Sequence, residues 1–253
     1  MSQRVLITAG ASGIGWAIAQ AFLDQDAKVH VMDIDADAVE DVVAKHSHVT
    51  GSVGDVSNPE HVRQALDDMR GAHGGLDVLV SNAGIAGPTA PVEEYDPDAW
   101  RSVVDVNLTG SFEVVRQAVP MLKENGQGTI LVMSSLAGRF GYPNRIAYST
   151  TKWGLVGFAK TLSLELGPHG ITVNVLHPGA VKGPRLEQVF SGRAELSGRS
   201  TEEEKDLALA NQAVKEFIDP ADIGALAVFL AGPHARTISG QQFNIDGDST
   251  AAQ

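Results

Sequence analysis

Short apolar runs rich in β-branched residues alternate along this chain with segments of helical character. Apolar runs of this kind, placed between helices, are typical of strands that are covered on both sides. The pattern therefore predicts a parallel sheet with helices on both faces. The runs are Val5-Leu6-Ile7-Thr8, Lys28-Val29-His30-Val31-Met32, Val78-Leu79-Val80, Thr129-Ile130-Leu131-Val132-Met133, Thr172-Val173-Asn174-Val175-Leu176 and Gln242-Phe243-Asn244-Ile245.

This alternation predicts a doubly wound α/β fold. Right-handed crossovers in such a fold place the ligand crevice outside the carboxyl ends of the strands, near the point where the strand order reverses. The chain has 253 residues and no evident linker, and this length suits one large sheet with two helical layers. We therefore expect a single domain over residues 1–253, with functional side chains directly after strands.

The composition argues against several classes of function. A formal net charge of -12 without a basic stripe is unfavourable for a nucleic-acid partner. The absence of cysteine rules out disulfides, thiolate metal sites and a cysteine nucleophile. No apolar run approaches the length of a membrane span, and the first residues lead directly into a strand, so we expect a cytoplasmic protein without a membrane partner.

A glycine-rich turn follows the first strand directly. The segment Thr8-Ala9-Gly10-Ala11-Ser12-Gly13-Ile14-Gly15 leads into a helical pattern that begins at Trp16. Glycines permit a tight turn and close approach of a ligand, and the free amides at a helix start attract a pyrophosphate. The turn predicts a dinucleotide site, with a tight turn that binds no ligand as the alternative. The candidate contacts are Gly10, Ser12, Gly13, Ile14 and Gly15.

The second strand ends at Asp33, 18 residues after Gly15. A carboxylate at this position can accept hydrogen bonds from both hydroxyls of an adenosine ribose and repel a 2′-phosphate. Ile34 supplies no compensating cation, and Asp35 and Asp37 add negative charge, so the sequence favours NAD over NADP. A helix cap is the alternative role for Asp33.

A further candidate for cofactor contact is the segment Gly54-Asp55-Val56-Ser57. Asp55, with Val56 beside it, can bind an adenine through its side chain and backbone. The same residues, followed by Asn58 and Pro59, are equally typical of a turn that enters a helix. The sequence leaves both roles open.

Tyr148 and Lys152 lie four residues apart in a segment that predicts a helix from Ala147 to Leu166. Four residues make about one helical turn, so the two side chains share a face. A fixed ammonium beside a phenol favours the phenolate, which can take a proton from an alcohol at neutral pH. Pairs with this spacing also occur on solvated helix faces, and only the surrounding motifs favour catalysis.

Residues 182–216 differ from the rest of the chain, because glycine, proline and mixed charges replace the strand signal. The segment follows a strand that ends at Leu176, at the expected ligand edge of the sheet. We predict a mobile flap with some helix that closes over a substrate. A surface insertion is the alternative.

Taken in order, these motifs resemble the short-chain dehydrogenase/reductase family over nearly the whole chain, from Val5 to Gly247. The resemblance implies a single-domain, Rossmann-type fold with a mostly parallel sheet of seven strands. It also implies an NAD(H)-dependent oxidoreductase that interconverts a secondary alcohol and a ketone. The motifs are the glycine-rich turn, Asp33, Asp55-Val56, Ser81-Asn82-Ala83-Gly84, Asn107, Ser135, Tyr148, Lys152, Pro178-Gly179, Ser239-Gly240-Gln241 and Asp246-Gly247.

The family pattern implies a catalytic tetrad of Asn107, Ser135, Tyr148 and Lys152. Tyr148 would be the acid/base, Lys152 would lower its pKa and bind the nicotinamide ribose, and Ser135 would hold the substrate oxygen. Asn107 would lie at a helix kink and anchor a water that links Lys152 to solvent. The further cofactor contacts that the family implies are Asn82, Ala83, Gly84, Pro178, Gly179 and Val181.

Two positions depart from the family pattern. Ala9 stands where glycine is usual, so we expect a slightly shifted turn that still binds the cofactor. Gly183 stands where a threonine often binds the carboxamide, and this leaves the contact to the Val181 backbone.

The sequence determines the substrate least. Arginines near a hydride-transfer centre can clamp a carboxylate, phosphate or sulfonate, which suggests a hydroxy acid or a sugar-derived acid, and a polyol is a neutral candidate. Two other functions stay open: a 3-oxoacyl-thioester (acyl-carrier-protein) reductase, and a dinucleotide sensor or scaffold without turnover. The candidate wall positions are Ser135, Ala137, Arg139, Tyr142, Arg145, His177, Arg185 and Arg193.

No metal site is predicted, because seven histidines are scattered over loops and helix ends without ligand spacing on one face. They are His46, His48, His61, His73, His169, His177 and His234. The family resemblance implies a homo-oligomer, a tetramer or a dimer, formed through the long central helices and the terminal strand. The candidates for that interface, or for the core, are Phe112, Val115, Trp153 and Phe158.

Overall fold

Seven strands form one sheet in the computed structural model, which describes residues 2–252 (for Leu196, the backbone only). The strands are β1 (Arg4–Thr8), β2 (Lys28–Asp33), β3 (Val49–Val53), β4 (Val78–Ser81), β5 (Gly128–Met133), β6 (Ile171–Pro178) and β7 (Gln242–Ile245). Their order across the sheet is β3-β2-β1-β4-β5-β6-β7, and each neighbouring pair is parallel. The predicted parallel sheet is confirmed.

Helices connect the strands in chain order. Within the described chain, none of them is both long and apolar enough to cross a membrane. They are α1 (Gly13–Leu23), α2 (Ala36–Lys45), α3 (Pro59–His73), α4 (Pro97–Val104), α5 (Gly110–Glu124), α6 (Ile146–Leu166), α7 (Pro184–Ser197), α8 (Thr201–Ala210) and α9 (Pro220–Ala231).

Both faces of the sheet are buried, which explains why its strands read as continuous apolar runs. On one face, Leu79 of β4 packs in a cluster with Leu155 of α6. On the other face, Val80 of the same strand packs in a cluster with Phe22 of α1 and Leu230 of α9. Each of these side chains is at most 1% exposed. Burial of one such side chain stabilises the fold by about 1.5–3 kcal/mol.

The edge strand β3 has no counterpart among the six apolar runs of the sequence. It carries Thr50, Gly51 and Ser52 where the central strands carry valine, leucine or isoleucine. Two of these polar residues bond to His30 of β2, whose Nδ1 lies 2.7 Å from Thr50 Oγ1 and whose Nε2 lies 2.9 Å from Ser52 Oγ. Because its polar residues are satisfied by hydrogen bonds to His30, this strand does not form an apolar run in the sequence.

His30 lies in a strand, as its place in the run Lys28-Val29-His30-Val31-Met32 predicted. It is buried within β2, and burial, reinforced by the nearby His73, lowers the pKa of His30 to about 4. The ring is therefore neutral at pH 7 and serves as a hydrogen-bonding link between strands.

The strand order reverses at β1, whose neighbours are β2 and β4. In a doubly wound sheet this switch point opens a crevice outside the carboxyl ends of the strands. Because all strands run in parallel, the segments that follow β1, β4, β5 and β6 leave the sheet at the same edge. These segments carry the predicted site residues.

The predicted flap, residues 182–216, contains two helices, α7 and α8. Its two ends are held together, because Val181 and Ile218 form a parallel bridge. Phe190 of α7 is fully buried and packs on Phe217, with ring centroids 5.6 Å apart. The segment is therefore more helical than the sequence indicated, and its closure over a substrate stays a prediction.

Candidate active site

The turn between β1 and α1 is so tight that two of its positions exclude a side chain. A Cβ on Gly15 would lie 2.0 Å from the carbonyl oxygen of Ala9, and a Cβ on Gly10 would overlap atoms of β1 and β2. Gly13 takes a φ of +52°, which favours glycine. Residues 12–14 lie exposed or half-buried at the start of α1. The amides of a helix start are therefore accessible at this edge of the sheet.

Ala9, the departure from the family's glycine, has a strained backbone with a φ of +49°. A residue with a Cβ destabilises the folded protein by about 1–2 kcal/mol in this region. Glycine would remove this strain, but its greater freedom in the unfolded chain offsets about 0.4–1 kcal/mol of the gain. We expect Ala9→Gly to raise the free energy of unfolding by about 0.5–1 kcal/mol, measured by urea denaturation of the free protein. Ala11→Gly, at a position outside the positive-φ region, is the control and should destabilise. An unchanged or lower stability of Ala9→Gly would contradict the strain.

Asp33 is fixed at the end of β2 beside this turn. It is 8% exposed, and its Oδ2 and Oδ1 accept hydrogen bonds from the amides of Ala11 at 3.1 Å and Asp35 at 3.3 Å. The helix cap, the alternative role considered for Asp33, belongs instead to Asp35, whose side chain accepts a 3.1 Å bond from the Ala38 amide. Asp33 is therefore a carboxylate held against the glycine-rich turn.

Asp55 and Val56 form part of the turn that enters α3. Asp55 Oδ1 accepts a 2.8 Å hydrogen bond from the Ser57 amide, and the Asp55 amide donates to His61 Nδ1 at 3.1 Å. Val56 is buried, and a Cβ on Gly110 would meet its Cγ2 at 2.8 Å. The turn-forming role is thus present, and the adenine contact stays a prediction.

Thr8 joins the glycine-rich turn to the loop after β4, a role that the sequence pattern did not single out. Its buried hydroxyl accepts hydrogen bonds from the amides of Asn82 and Ala83, each at 3.0 Å. Asn82 Nδ2 donates back to the carbonyl oxygens of Thr8 at 3.0 Å and Ala9 at 3.1 Å. These bonds fix the ends of β1 and β4 relative to each other. The available signal was a hydroxyl residue at the last position of β1.

Asn107 lies in a π-helical turn, Asp105–Thr109, between α4 and α5, where the family resemblance implied a helix kink. Its fully buried side chain accepts a 2.7 Å bond from the Ile85 amide and donates to the Ile85 carbonyl oxygen at 3.0 Å and to Thr151 Oγ1 at 3.1 Å. Turns of this type often occur at functional sites. Asn107 thereby ties the loop after β4 to α6, and its role in holding a water stays a prediction.

Lys152 extends from α6 toward the end of β5. It is buried, its Nζ donates to the Met133 carbonyl oxygen at 2.8 Å, and Nζ lies 5.7 Å from the centroid of the Tyr148 ring. A Cβ on Gly84 would lie 3.3 Å from this Nζ and 3.2 Å from Asn107 Oδ1. Glycine therefore lets the loop after β4 pass close to both polar groups.

The two serines after β5 have different surroundings. Ser134 is buried and its Oγ donates to the Lys152 carbonyl oxygen at 2.8 Å, as expected of a residue that faces the core. Ser135 Oγ accepts a 3.2 Å bond from the amide of Ala137 and hydrogen-bonds to Tyr148. Ala137, a candidate wall position, is itself fully buried. Ser135 is thus the serine that faces the phenol.

The electrostatic surroundings of Tyr148 favour its ionised form. Burial acts to raise the pKa of Tyr148, but the charges of Lys152 and Arg185, the hydrogen bond with Ser135 and the charge of Arg145 outweigh burial. The pKa of Tyr148 therefore lies below the 10.0 of an ordinary tyrosine. Burial also lowers the pKa of Lys152, against the attraction of Tyr148. A phenol in these surroundings is suited to proton transfer near neutral pH.

The loop after β6, which begins beyond Pro178, is fixed by the end of β7. The Gly179 amide donates to the Ile245 carbonyl oxygen at 2.8 Å, and a Cβ on Gly179 would lie 2.9 Å from Asp246 Cα. Gly183, the second departure from the family pattern, takes a φ of +147° with open space around an added Cβ. A threonine there would be disfavoured by backbone strain and not by a clash.

Two candidate substrate residues are already engaged by the protein. His177 is fully buried, its Nδ1 bonds to the Ser135 carbonyl oxygen at 2.8 Å, and its Nε2 bonds to Gln242 Oε1 at 3.1 Å. Arg139 Nη1 forms an ion pair with Asp246 at 2.8 Å. His177 thus bonds to the backbone of Ser135, and Arg139 has a protein carboxylate as its partner. Contact of either residue with a substrate stays a prediction.

The remaining candidates lie around Tyr148. The Tyr142 hydroxyl accepts a hydrogen bond from Arg193 of α7. The guanidinium carbon of Arg145 lies 5.6 Å from the ring centroids of both Tyr142 and Tyr148. Arg185, in the first turn of α7, donates a long bond of 3.4 Å to the loop after β4. Their contact with a substrate stays a prediction.

With this geometry established, comparison with known proteins identifies the family. A family model described as enoyl-(acyl carrier protein) reductase matches residues 8–250. D-β-hydroxybutyrate dehydrogenase of Cupriavidus necator is 34% identical over 250 residues, which cover 97% of this chain and 96% of that protein. The chain belongs to the short-chain dehydrogenase/reductase family.

Other members of the short-chain dehydrogenase/reductase family agree with this assignment. A 2-dehydro-3-deoxy-L-rhamnonate dehydrogenase (NAD(+)) of a Sphingomonas species is 38% identical over 184 residues, 73% of this chain and 74% of the relative. The crystal structure of NAD+-bound xylitol dehydrogenase matches with a TM-score of 0.93 at 26% identity and covers 97% of this chain and 98% of the other. A matched polyketide ketoreductase structure contains NADPH, so the nicotinamide cofactor differs among these proteins. This family member is an oxidoreductase of CH–OH groups.

Proposed function

We propose that this enzyme oxidises a secondary alcohol to a ketone with NAD, or catalyses the reverse reaction, and that Tyr148 transfers the proton. The observation that carries the proposal is the position of Tyr148 between Ser135 and Lys152 at the carboxyl edge of the sheet. The cation beside the phenol and the hydrogen bond from the serine both favour the phenolate.

The roles of the side chains follow from these contacts. In the oxidation direction, the Tyr148 phenolate takes the hydroxyl proton of the substrate, and Ser135 holds the substrate oxygen and stabilises the charge that develops on it. NAD, when bound, accepts the hydride. Lys152 keeps the pKa of Tyr148 low and would bind the nicotinamide ribose, as the family resemblance implies, while Asn107 holds the loop after β4 in place. In the reduction direction, Tyr148 returns the proton to the ketone oxygen.

The edge of the sheet fits a dinucleotide cofactor. Gly10 and Gly15 allow the tight turn after β1, because a Cβ at either position would clash with neighbouring protein atoms. A Cβ on Gly13 would lie in open space, so this glycine leaves room for a pyrophosphate at the start of α1. Asp33 beside this turn suits a ribose diol, and Ile34, which is 71% exposed, offers no cation to a 2′-phosphate. We therefore propose NAD in preference to NADP. Asn82–Gly84 and the loop from Pro178 to Val181 would hold the nicotinamide half.

The proposed reaction is tested by NADH formation, followed by near-ultraviolet absorbance, with polyols, hydroxy acids and 3-hydroxyacyl thioesters. We expect a good hydroxy-acid or polyol substrate to turn over at about 1–10³ s⁻¹ and the thioesters to react poorly. Turnover confined to thioesters with NADP(H) would indicate the acyl-thioester reductase instead. Binding of NAD without turnover of any alcohol would indicate a sensor.

We also propose that the chain associates with copies of itself. Phe112 of α5 and Trp153 of α6 are 46% and 50% exposed. Exposed aromatic residues of this size are enriched at protein interfaces. Val115 and Phe158, the other two candidates, pack in the core cluster of this side of the sheet, so the first two carry the proposal.

A further inference from the structure

We infer from the structure that the substrate carries a carboxylate and that Arg145, assisted by Arg185, binds it. The inference rests on the proposed dehydrogenase function and names the class of substrate for the same site. The comparisons leave this class open, because the matched proteins include enzymes named for both acids and a neutral polyol.

Arg145 is a buried cation without a counter-charge. It is 9% exposed and lies three residues before Tyr148. Its Nη1 donates to Thr89 Oγ1 at 3.0 Å, whereas its Nε is buried and has no hydrogen-bond partner among residues 2–252. Over the same residues it forms no ion pair. The Thr89 hydroxyl and the rings of Tyr142 and Tyr148 offset part of the lost solvation. The charge still has no anionic partner, and a buried guanidinium in this state is costly.

The place of Arg145 in the fold adds to this cost. It is the N-cap residue of α6, and the first turn of that helix contains no acidic residue. The positive end of a helix dipole disfavours a cation and favours an anion. A carboxylate bound at Arg145 would therefore interact favourably with both the guanidinium and the helix start.

The reaction centre as a whole is positively charged. The charged side chains that act on Tyr148 are those of Lys152, Arg185 and Arg145, all cations. Arg185, exposed at the start of α7, also forms no ion pair within the described chain. The chain carries a net charge of -12, so this cluster of cations does not follow from a basic composition.

The other two arginines near the site differ in this respect. Arg139 is paired with Asp246. Arg193 donates to the Tyr142 hydroxyl, and its charge also acts on Glu204. Arg145 and Arg185 are therefore the guanidinium groups that can engage a substrate anion.

The geometry suits a carboxylate within a few bonds of the carbinol. The guanidinium carbon of Arg145 lies 5.6 Å from the centroid of the Tyr148 ring, so one small molecule can reach both residues. Nη1 of Arg145 already donates to Thr89. The Nε that has no partner lies beside Nη2, on the other side of the guanidinium. That side offers two parallel donors, which a planar carboxylate accepts in bidentate fashion.

The test compares kcat/KM for a hydroxy acid and for its methyl ester in wild type, Arg145→Gln and Arg145→Lys. Because a charged, bidentate contact is lost, we expect the acid-to-ester ratio to fall at least about 30-fold in Arg145→Gln. Arg145→Lys keeps the charge and loses the bidentate pair of donors, so its acid-to-ester ratio should lie between those of wild type and Arg145→Gln. The matched control is Arg101→Gln, an exposed arginine of α4 paired with Asp98, which should keep the wild-type ratio.

An unchanged ratio in Arg145→Gln, with an active wild type, would overturn the inference and leave the dehydrogenase function intact. If the wild type oxidises no compound, the dehydrogenase function fails, and titration calorimetry of the enzyme–NADH complex with butyrate decides the inference. We then expect butyrate to bind Arg145→Gln at least tenfold more weakly than wild type. Equal affinity of the two proteins for butyrate, or no binding of butyrate to wild type, would overturn the inference. If Arg145→Gln does not fold, the exposed Arg185→Gln should lower the ratio about fivefold, and an unchanged ratio there counts against the inference.

Discussion

Replacing Tyr148 by phenylalanine should lower kcat for alcohol oxidation by about 10²–10⁴-fold, the usual contribution of a general acid/base. The variant keeps the ring between Ser135 and Lys152 and removes only the hydroxyl that transfers the proton. NAD affinity should change much less, since the turn after β1 and Asp33 are untouched. Steady-state kinetics together with NAD binding followed by fluorescence provide the measurement.

Tyr95→Phe is the matched control, because the Tyr95 hydroxyl is buried without a hydrogen-bond partner among the described residues. Its kcat should stay close to that of the wild type. The pH profile adds a second readout. Wild-type kcat/KM for oxidation should fall as the pH drops through the pKa of Tyr148, below 10.0, and should level off above it. This dependence should be lost in Tyr148→Phe, and wild-type kcat in that variant would remove Tyr148 from the mechanism.

The largest change in cofactor preference should come from Asp33→Ala combined with Ile34→Arg. The substitutions remove the carboxylate that would bind the adenosine ribose and add a cation at a position that is 71% exposed. Because one hydrogen bond to a charged group contributes about 1.5–3 kcal/mol and 1.4 kcal/mol is a factor of ten, the ratio of kcat/KM for NAD over NADP should fall at least about 10²-fold. The measurement is the initial rate with each cofactor at one saturating alcohol concentration.

Asp33→Asn removes the charge of this residue and keeps its shape, so it isolates the contribution of the charge to the cofactor preference. Its side-chain oxygen can still accept the hydrogen bond from the Ala11 amide that Asp33 Oδ2 accepts at 3.1 Å. We expect a smaller fall in the same ratio and little loss of stability. An unaltered preference for NAD in both variants would mean that another residue selects the cofactor.

Most of the fold and the shared face of Tyr148 and Lys152 could be predicted because their signals are local, whereas Asn107 and Ser135 were implied by the family resemblance. The turn after β1 is a matter of backbone conformation over a few residues, and the shared face of Tyr148 and Lys152 follows from helical periodicity alone. β3 could not be recognised by apolar runs, since its Thr50 and Ser52 are compensated by His30 on a neighbouring strand.

Local sequence patterns could not predict the hydrogen-bond and ion-pair partners of the polar side chains. Arg139 and His177 looked alike from the sequence, as polar residues near the active edge. Arg139 meets Asp246 across 107 positions of the chain, and His177 meets the Ser135 backbone across 42. Only the order of strands brings these residues together.

The sequence by itself determined six of the seven strands, the glycine-rich turn and the residues at the strand ends, because strand and helix periodicity and backbone conformation depend on neighbouring residues. Only the tertiary structure decided which charges are neutralised. It pairs Arg139 with Asp246 and leaves Arg145 buried beside Tyr148 without an acidic partner in the described chain. The cost of a buried charge depends on what surrounds it in space, and so does the class of substrate that this site is built to bind.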